Sequence, residues 1–215
     1  MIKKTLYPKT KRLEGKKEVV TITEKIDGSN LSFFKLDGEL YIAQRNNIYS
    51  LTEAMGVDTI PKNVMYKHLY EFLSNYGAEL KADLQEKAVV SGEWIAMGRI
   101  DYGNVAQRFL QFAKGNVDDE MNLTKLNYNH DLFKWSFISQ EVPVFIGKVP
   151  VVAITDEFPT KEELDELYES YSDGVIQDQG HPVEGFVVAV GNDSISKYVR
   201  FKDGALKEHF TWGGN

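Results

Sequence analysis

The chain has 215 residues, a formal net charge of −7 and 42% hydrophobic residues, which provides enough apolar material for one substantial folded domain. It contains no cysteine, so disulfides and thiolate metal sites are excluded and a reducing compartment is favoured. No apolar run approaches the roughly 18 residues of a membrane-spanning helix, and the lysine-containing N-terminus lacks the apolar core of a signal peptide. We therefore expect a soluble, cytoplasmic protein.

Basic residues are concentrated at the start of the chain. Residues 1–17 hold seven lysines and arginines against Glu14, a local charge of +6, so the other residues sum to −13 against the total of −7. We expect residues 1–18 to form an irregular basic arm, because Pro8 and Gly15 interrupt regular structure. Such an arm could bind a phosphate backbone, although a solvated terminal tail would have the same composition.

The stretch around Lys25 carries the first chemical signal. Residues 19–26 alternate between apolar and polar, which predicts a β-strand with Glu24 on the apolar face and Lys25 on the other. A carboxylate among apolar side chains needs a hydrogen-bonding partner or must turn outward. Asp27-Gly28 then predicts a tight turn behind a cation, a pattern that a solvated lysine beside an ordinary β-turn would also produce.

A hairpin and a helical segment follow. Residues 30–35 and 39–45 flank Leu36-Asp37-Gly38, which predicts a β-hairpin. Apolar residues at helical spacing predict helix over residues 62–86, either as one helix or as two with a break near Gly77.

Two later strands each carry one glutamate among apolar residues. Residues 88–95 contain Glu93, and residues 183–190 contain Glu184. Burying an unpaired carboxylate costs several kcal/mol, so each glutamate indicates either a functional site or an exposed sheet edge.

The segments between these strands are less informative. Residues 133–138 predict a strand with three aromatic side chains on one face, a pattern typical of a core and also of a base-stacking slot. Residues 149–154 predict a strand. Thr160 and Glu163 form a capping box, which predicts the start of a short acidic helix that covers the sheet.

The last predicted strand, residues 195–202, ends in two cations. Alternation places Tyr198, Arg200 and Lys202 on one face. Two cations two residues apart form a ready phosphate site, and charges that protect an exposed edge strand would give the same pattern.

Taken together and in order, these segments resemble the covalent nucleotidyltransferase superfamily, which comprises polynucleotide ligases and RNA capping enzymes. The matching segments are Glu24-Lys25-Ile26-Asp27-Gly28, Gln44-Arg45, Ser91-Gly92-Glu93-Trp94, residues 133–138, residues 183–188 and Val199-Arg200-Phe201-Lys202. The resemblance implies an α+β nucleotidyltransferase (adenylyltransferase) domain of mainly antiparallel β-sheets flanked by helices, with a nucleotide cleft between the sheets.

The subfamily rests on fewer residues. DNA ligases and capping enzymes typically have arginine at the position of Asn30. With asparagine at this position, the motif resembles that of the RNA ligase 2-like family of phage type. Members of that family often have histidine where this chain has Asp27. Only 13 residues follow Lys202, which is too few for the OB-fold domain of DNA ligases and capping enzymes. We therefore expect a single nucleotidyltransferase domain over residues 1–215, without a C-terminal OB domain.

The resemblance implies an ATP-dependent RNA ligase that uses Mg²⁺ or Mn²⁺. Lys25, as the neutral amine, would attack the α-phosphate of ATP, release pyrophosphate and hold AMP as a phosphoramidate. AMP would then pass to a 5′-phosphate end, from which a 3′-hydroxyl displaces it to seal the strand.

The resemblance also implies roles for other residues. Nucleotide contacts are implied for Glu24, Arg45, Glu93, Phe137, Arg200 and Lys202. Phe137 would stack on adenine, with Trp135 as the alternative ring. Asn30 would assist the sealing step, and Glu184 with Glu93 would bind the metal.

The closing pair departs from the family, which usually has two lysines there. Arg200 stands in place of the first, and arginine binds phosphate well but cannot give up its proton. Lys197 is the other candidate, but alternation places it on the strand face opposite Lys202, so the sequence favours Arg200.

Other functions remain open from the sequence. A minimal DNA ligase or a guanylyltransferase is the first alternative, and Asn30 and the missing OB domain argue against both. A catalytically inactive nucleic-acid-binding module is the second, and the retained lysine, glutamate and closing cations argue against it. The expected partner is RNA, in a nicked duplex or an RNA/DNA hybrid, bound by a monomer in the cytoplasm of a bacterial or phage-infected cell.

Overall fold

The computed structural model describes residues 19–56, 64–96, 98, 100–171, 182–191, 194–202 and 205–209. At residues 64, 194, 201–202 and 205–209 it describes the backbone alone. The predicted basic arm, residues 1–18, lies outside the described residues. Among the described helices, none combines the length and the apolar content needed to cross a membrane.

Within the described ranges the chain forms twelve strands and three α-helices. The strands are β1 Val20–Glu24, β2 Ser29–Leu36, β3 Glu39–Gln44, β4 Ile48–Ser50, β5 Ala88–Trp94, β6 Phe109–Val117, β7 Leu123–Asn127, β8 Ile146–Lys148, β9 Val151–Thr155, β10 Gly185–Val190, β11 Ser194–Lys202 and β12 Ala205–His209. The helices are α1 Leu51–Ala54, α2 Leu69–Asp83 and α3 Lys161–Ser170, with 3₁₀ turns at Val64–Tyr66 and His130–Ser136.

The described residues form two compact units. The first unit comprises the described residues of Gly28–Gly98 and Ala106–Lys148, and the second those of Lys9–Asp27, Arg99–Val105 and Val149–Asn215. The chain therefore passes between the units several times, and no single linker divides them in sequence. The two antiparallel sheets and few helices confirm the expected α+β class.

The sheet of the first unit has the order β4-β3-β2-β5-β6-β7, with β8 also beside β6. Its pairings are antiparallel in the described ranges, apart from the parallel β6–β8 contact. The predicted hairpin is confirmed, because Leu36 pairs with Glu39 across Asp37 and Gly38, which have φ angles of 52° and 71°. Positive φ at both turn residues gives the tight turn that matches the twist of the strands.

Helix α2 packs on this sheet and completes the core of the first unit. Phe72 stacks on Phe33 at a centroid distance of 5.9 Å and meets Trp94 edge-on at 5.3 Å. The alternative of two helices with a break near Gly77 is wrong, since α2 continues through that residue. A Cβ at Gly77 would lie 3.0 Å from the side chain of Leu51, so the glycine allows close packing instead of ending the helix.

The predicted strand over residues 133–138 is wrong. A 3₁₀ helix spans His130–Ser136, and the side chain of Asn129 caps its start by accepting a hydrogen bond from the Asp131 amide. Phe133 and Phe137 are both fully buried, although neither belongs to a strand. A local cap and tertiary burial therefore outweigh the β-propensity of the aromatic residues.

The sheet of the second unit has the order β12-β11-β10-β1-β9, and all its described pairings are antiparallel. The capping box predicted at Thr160 and Glu163 is present and starts α3. Leu164 and Tyr168 of α3 are buried against one face of this sheet, in a cluster with Val20, Ile22, Phe186, Val188 and Tyr198. We call this the α3 face and the opposite face, which includes Lys25, the Lys25 face.

Candidate active site

Lys25 lies directly after β1 and forms an ion pair with Glu184. Its backbone amide donates to the Gly185 carbonyl at 2.9 Å, which extends the β1–β10 ladder by one residue. Its ammonium donates to the Glu184 carboxylate, and both side chains are largely buried, at 21% and 16% exposure. The two residues are separated by 159 positions in sequence, and the structure brings them into contact.

Burial and the neighbouring cations act in opposite directions on the pKa of Glu184. Burial raises the pKa of this carboxyl, the positive charges of Lys25 and Lys197 oppose the rise, and the charge of Asp27 adds to it. Lys197 therefore lies within electrostatic range of Glu184.

Gly185 fixes the geometry of this strand start. Its φ of +151° is one that residues with side chains rarely adopt, and a Cβ there would lie 1.9 Å from the Tyr198 carbonyl oxygen. Only glycine fits here, so the close approach of β10 and β11 by itself requires Gly185.

Glu24 finds the partner that its strand position requires. The side chain is 2% exposed and accepts a hydrogen bond from the Tyr171 hydroxyl at 3.0 Å. Burial, with the Glu24 charge and this hydrogen bond, raises the pKa of Tyr171 well above its ordinary value. Tyr171 directly follows α3, and its role could not be read from the sequence, because nothing in the local pattern links it to β1.

Asp27 organises a distant segment. Its carboxylate accepts from the Ile100 amide at 2.9 Å, and its backbone amide donates to the Tyr102 hydroxyl at 2.8 Å. Tyr102 is buried, and its pKa is raised by burial and by the carboxylates of Glu24, Asp27 and Glu184. Tyr102 could not be identified from the sequence, because residues 99–130 show no clear hydrophobic periodicity.

Arg200 lies on the α3 face and contacts the helix. Its Nη1 donates to Asp165 at 2.7 Å and to the Tyr198 hydroxyl at 3.0 Å, and its Nη2 donates to Glu169 at 3.0 Å. The guanidinium also lies 5.1 Å from the centre of the Tyr168 ring. The predicted face shared with Tyr198 is confirmed, and it is the face that α3 covers. The side chain of Lys202 lies outside the described residues.

In the first unit, Asn30 and Glu93 are direct cross-strand partners. Tyr66 joins them, because its hydroxyl donates to the Asn30 carbonyl at 3.1 Å. Burial raises the pKa of Tyr66 to about 12, an Arg45 backbone hydrogen bond opposes the rise, and the Glu93 charge adds to it. Two residues from separate sequence motifs thus lie side by side, with a tyrosine that the sequence analysis did not identify.

The two aromatic candidates differ in exposure. Phe137 is fully buried in the core of the first unit and pairs with Leu84 in an isolated bridge. Its ring therefore presents no face to a base in this structure. Trp135 is 44% exposed, with the Lys134 ammonium 5.3 Å from its ring centre.

Comparison with known proteins decides the family. Residues 18–202 match the family model described as RNA ligase. The chain belongs to the RNA ligase family. The comparison with curated proteins gave no match.

Solved structures of Naegleria gruberi RNA ligase share the fold of this RNA ligase family member. One with PPi has a TM-score of 0.55 and 17% identity over 86% of this chain and 50% of that chain. A mutant with ATP and Mn has a TM-score of 0.54 and 14% identity, and another with AMP and Mn has 0.53 and 15%. Each of these two alignments covers 92% of this chain and 58% of that chain. This chain thus spans between half and three fifths of the length of the solved relatives.

Proposed function

We propose that the protein is an ATP-dependent RNA ligase that seals 3′-hydroxyl and 5′-phosphate ends through a covalent Lys25–AMP intermediate. The observation that carries the proposal is the Lys25–Glu184 ion pair, formed between two segments that both lie inside the RNA ligase match. The ion pair fixes the position of the Lys25 nitrogen, which can attack a phosphoryl group once its ammonium has lost a proton.

Three transfers make up the proposed reaction. In the first, the Lys25 ammonium gives a proton to water, its neutral Nζ bonds to the α-phosphorus of ATP, the bond to pyrophosphate breaks, and the nitrogen releases a second proton to water. In the second, a 5′-phosphate oxygen bonds to the adenylyl phosphorus, the phosphorus–nitrogen bond breaks, and the Lys25 nitrogen takes protons back from water. In the third, a 3′-hydroxyl oxygen bonds to the 5′-phosphorus, the hydroxyl proton passes to water, and AMP leaves. Negative charge moves onto non-bridging oxygens at each step, so cations supply most of the stabilisation.

Glu184 fits a role in binding Mg²⁺ or Mn²⁺, because both prefer oxygen donors. Among the described residues no group of three or more histidine, cysteine or acidic side chains is placed to hold a metal. Further ligands would include the nucleotide phosphates and water. When bound, the metal would stabilise charge on the phosphoryl oxygens.

Other site residues receive roles on the same basis. Glu24 orients the backbone next to Lys25 through its bond to Tyr171. Asn30 acts in the sealing step, and Glu93 contacts the nucleotide or its metal. Arg45, at the end of β3, and Lys202 contact phosphates. Adenine stacking by Phe137 is not part of the proposal, because its ring is buried in the core.

A labelling and ligation panel tests the function. The full chain is incubated with Mg²⁺ and ATP, GTP or NAD labelled on the transferred phosphate, and then with nicked duplexes that carry RNA or DNA at each end. We expect covalent label from ATP alone and sealing of RNA 3′-hydroxyl ends. Lys25→Ala should abolish both, and Lys35→Ala, a lysine on β2, should abolish neither. Label from GTP alone would indicate a guanylyltransferase, and sealing of all-DNA nicks alone would indicate a DNA ligase.

A further inference from the structure

Arg200 is already committed to the α3 face. Two carboxylates and one hydroxyl occupy its terminal nitrogens, and Tyr168 lies against the guanidinium. Its side chain is 18% exposed. A phosphate contact would require Arg200 to break two ion pairs, so this arginine is poorly placed to bind a nucleotide at Lys25.

Lys197 lies on the other face of the same strand. Thr23 of β1 pairs with Val187 of β10, and Val187 pairs with Lys197 of β11. Directly paired residues of neighbouring strands lie on one face of a sheet, so these three form a row. Lys25 follows Thr23 by two positions and shares that face. Lys197 therefore lies on the Lys25 face, and its side chain is exposed.

The distance between the two lysines suits a shared ligand. Two strand spacings across the sheet and two residues along it separate their Cα atoms by about 12 Å. Both side chains are long and flexible, so both nitrogens can reach one phosphate group. Gly185, in the row next to Lys25, adds no side chain between them.

Electrostatics agree with this placement. The positive charge of Lys197 acts on the Glu184 carboxylate, which is the partner of Lys25. Among the side chains that the structure describes, none forms an ion pair with Lys197.

We propose that Lys197 contacts the α-phosphate of the nucleotide at Lys25, and that Arg200 anchors α3 to the sheet instead of contacting the nucleotide. This inference rests on the proposed function. The Lys197 ammonium would stabilise the charge that grows on the non-bridging oxygens as Lys25 attacks. The sequence alone favours Arg200, because strand alternation does not reveal which face of the sheet α3 covers.

Substitutions at the two positions test the assignment. Lys197→Ala should lower the rate of covalent labelling from ATP about 100-fold without a change in melting temperature, and Lys197→Arg should recover part of it. Arg200→Ala should lower the melting temperature by several degrees and retain labelling below that temperature. If Arg200→Ala does not fold, Arg200→Lys replaces it in both measurements. Lys125→Ala, on β7 of the other sheet, should match wild type in both measurements.

Binding of ATP with Mg²⁺, measured by calorimetry, separates this inference from the function on which it rests. We expect Lys197→Ala to weaken binding about tenfold or more, since a hydrogen bond to a charged group contributes about 1.5–3 kcal/mol. If the wild-type chain acquires no covalent label from ATP, the ligase function is contradicted. The calorimetric comparison of Lys197→Ala with wild type still tests the contact with the nucleotide. Equal nucleotide affinity of Lys197→Ala and wild type, or loss of labelling in folded Arg200 variants only, overturns the assignment to Lys197.

Discussion

Glu184 and Arg200 are neighbours across adjacent chain segments of the second unit, yet their side chains have different partners. The Arg200 amide donates to the Glu184 carbonyl at 2.9 Å, so the two backbones belong to one ladder. The Glu184 carboxylate turns to Lys25, whereas the Arg200 guanidinium turns to Asp165 and Glu169 of α3.

The Lys25–Glu184 pair and the Arg200 cluster, which comprises Arg200, Asp165 and Glu169, differ in the number of ion pairs. Arg200 has two acidic partners on α3, so its cluster fixes the helix on the sheet. Lys25 and Glu184 form a pair largely removed from water, in which either member can exchange its partner for a phosphate or a metal ion. A charge held by one partner is easier to recruit for chemistry than a charge held by a network.

Removing the Glu184 charge should have the largest effect on activity. Glu184→Gln leaves Lys25 without its counter-charge and removes an oxygen donor for the metal, so the labelling rate from ATP should fall about 100- to 1,000-fold. Rates are measured by covalent label over time. Glu162→Gln on α3 is the control and should label like wild type, and an unchanged rate for Glu184→Gln would remove this residue from the site.

Breaking the other cluster should reduce stability more than chemistry. Asp165→Asn weakens the ion pair to Arg200 and the contacts with Lys161 and Tyr198. Because these side chains are partly exposed, we expect a loss of about 1–2 kcal/mol in the free energy of unfolding. Urea unfolding measures the loss. A labelling defect in folded Asp165→Asn as large as that of Glu184→Gln would show that the two clusters are not distinct.

The buried Glu24–Tyr171 contact gives a smaller test on the α3 face. Tyr171→Phe removes the hydroxyl that donates to a carboxylate with 2% exposure, so unfolding should require about 1 kcal/mol less. Urea unfolding of Tyr171→Phe beside Tyr70→Phe, an exposed tyrosine on α2, measures the difference. Equal stability of Tyr171→Phe and wild type would mean that water replaces the hydroxyl.

Glu184 and Asp165 should change the free energy of unfolding in opposite directions as the pH rises. Burial raises the pKa of Glu184 above its ordinary 4.5, so its contribution is complete below pH 4.5 and is lost as pH rises through the folded-state pKa. Burial also acts on Asp165, but hydrogen bonds from Lys161, Tyr198 and Arg200 outweigh it and lower the pKa below 3.8. Its contribution is complete above pH 3.8 and is lost as pH falls through the folded-state pKa.

Urea unfolding from pH 3 to 7 measures both effects. Relative to Glu184→Gln, the wild type should lose stability as pH rises above 4.5. Relative to Asp165→Asn, it should lose stability as pH falls below 3.8. Slopes of the same sign would contradict the opposite environments assigned to the two groups.

Local patterns predicted much of the fold. The alternation around Glu24, the Asp37-Gly38 turn and the capping box at Thr160 all depend on neighbouring residues, and the structure confirms each. The strand predicted over residues 133–138 is wrong, because an asparagine cap and burial in the core decide that segment.

The candidate site was less accessible to sequence reasoning. The motifs predicted Lys25 and Glu184 as site residues, and the structure pairs the two side chains, while their roles stay predictions. Tyr66, Tyr102 and Tyr171 could not be predicted, because each reaches the site residues of its own unit from a distant point in the chain. The orientation of Arg200 depends on α3, which begins 39 residues earlier at Lys161, so strand alternation could not assign it.

Peptide mapping of the adenylylated protein tests the central claim most directly. The full chain is incubated with ATP and Mg²⁺ without polynucleotide, digested, and analysed by mass spectrometry for an added AMP. We expect the adduct on the peptide that contains Lys25, through an acid-labile phosphorus–nitrogen bond, and its absence from Lys25→Ala. An adduct on any other residue, or one that persists in Lys25→Ala, would contradict the account.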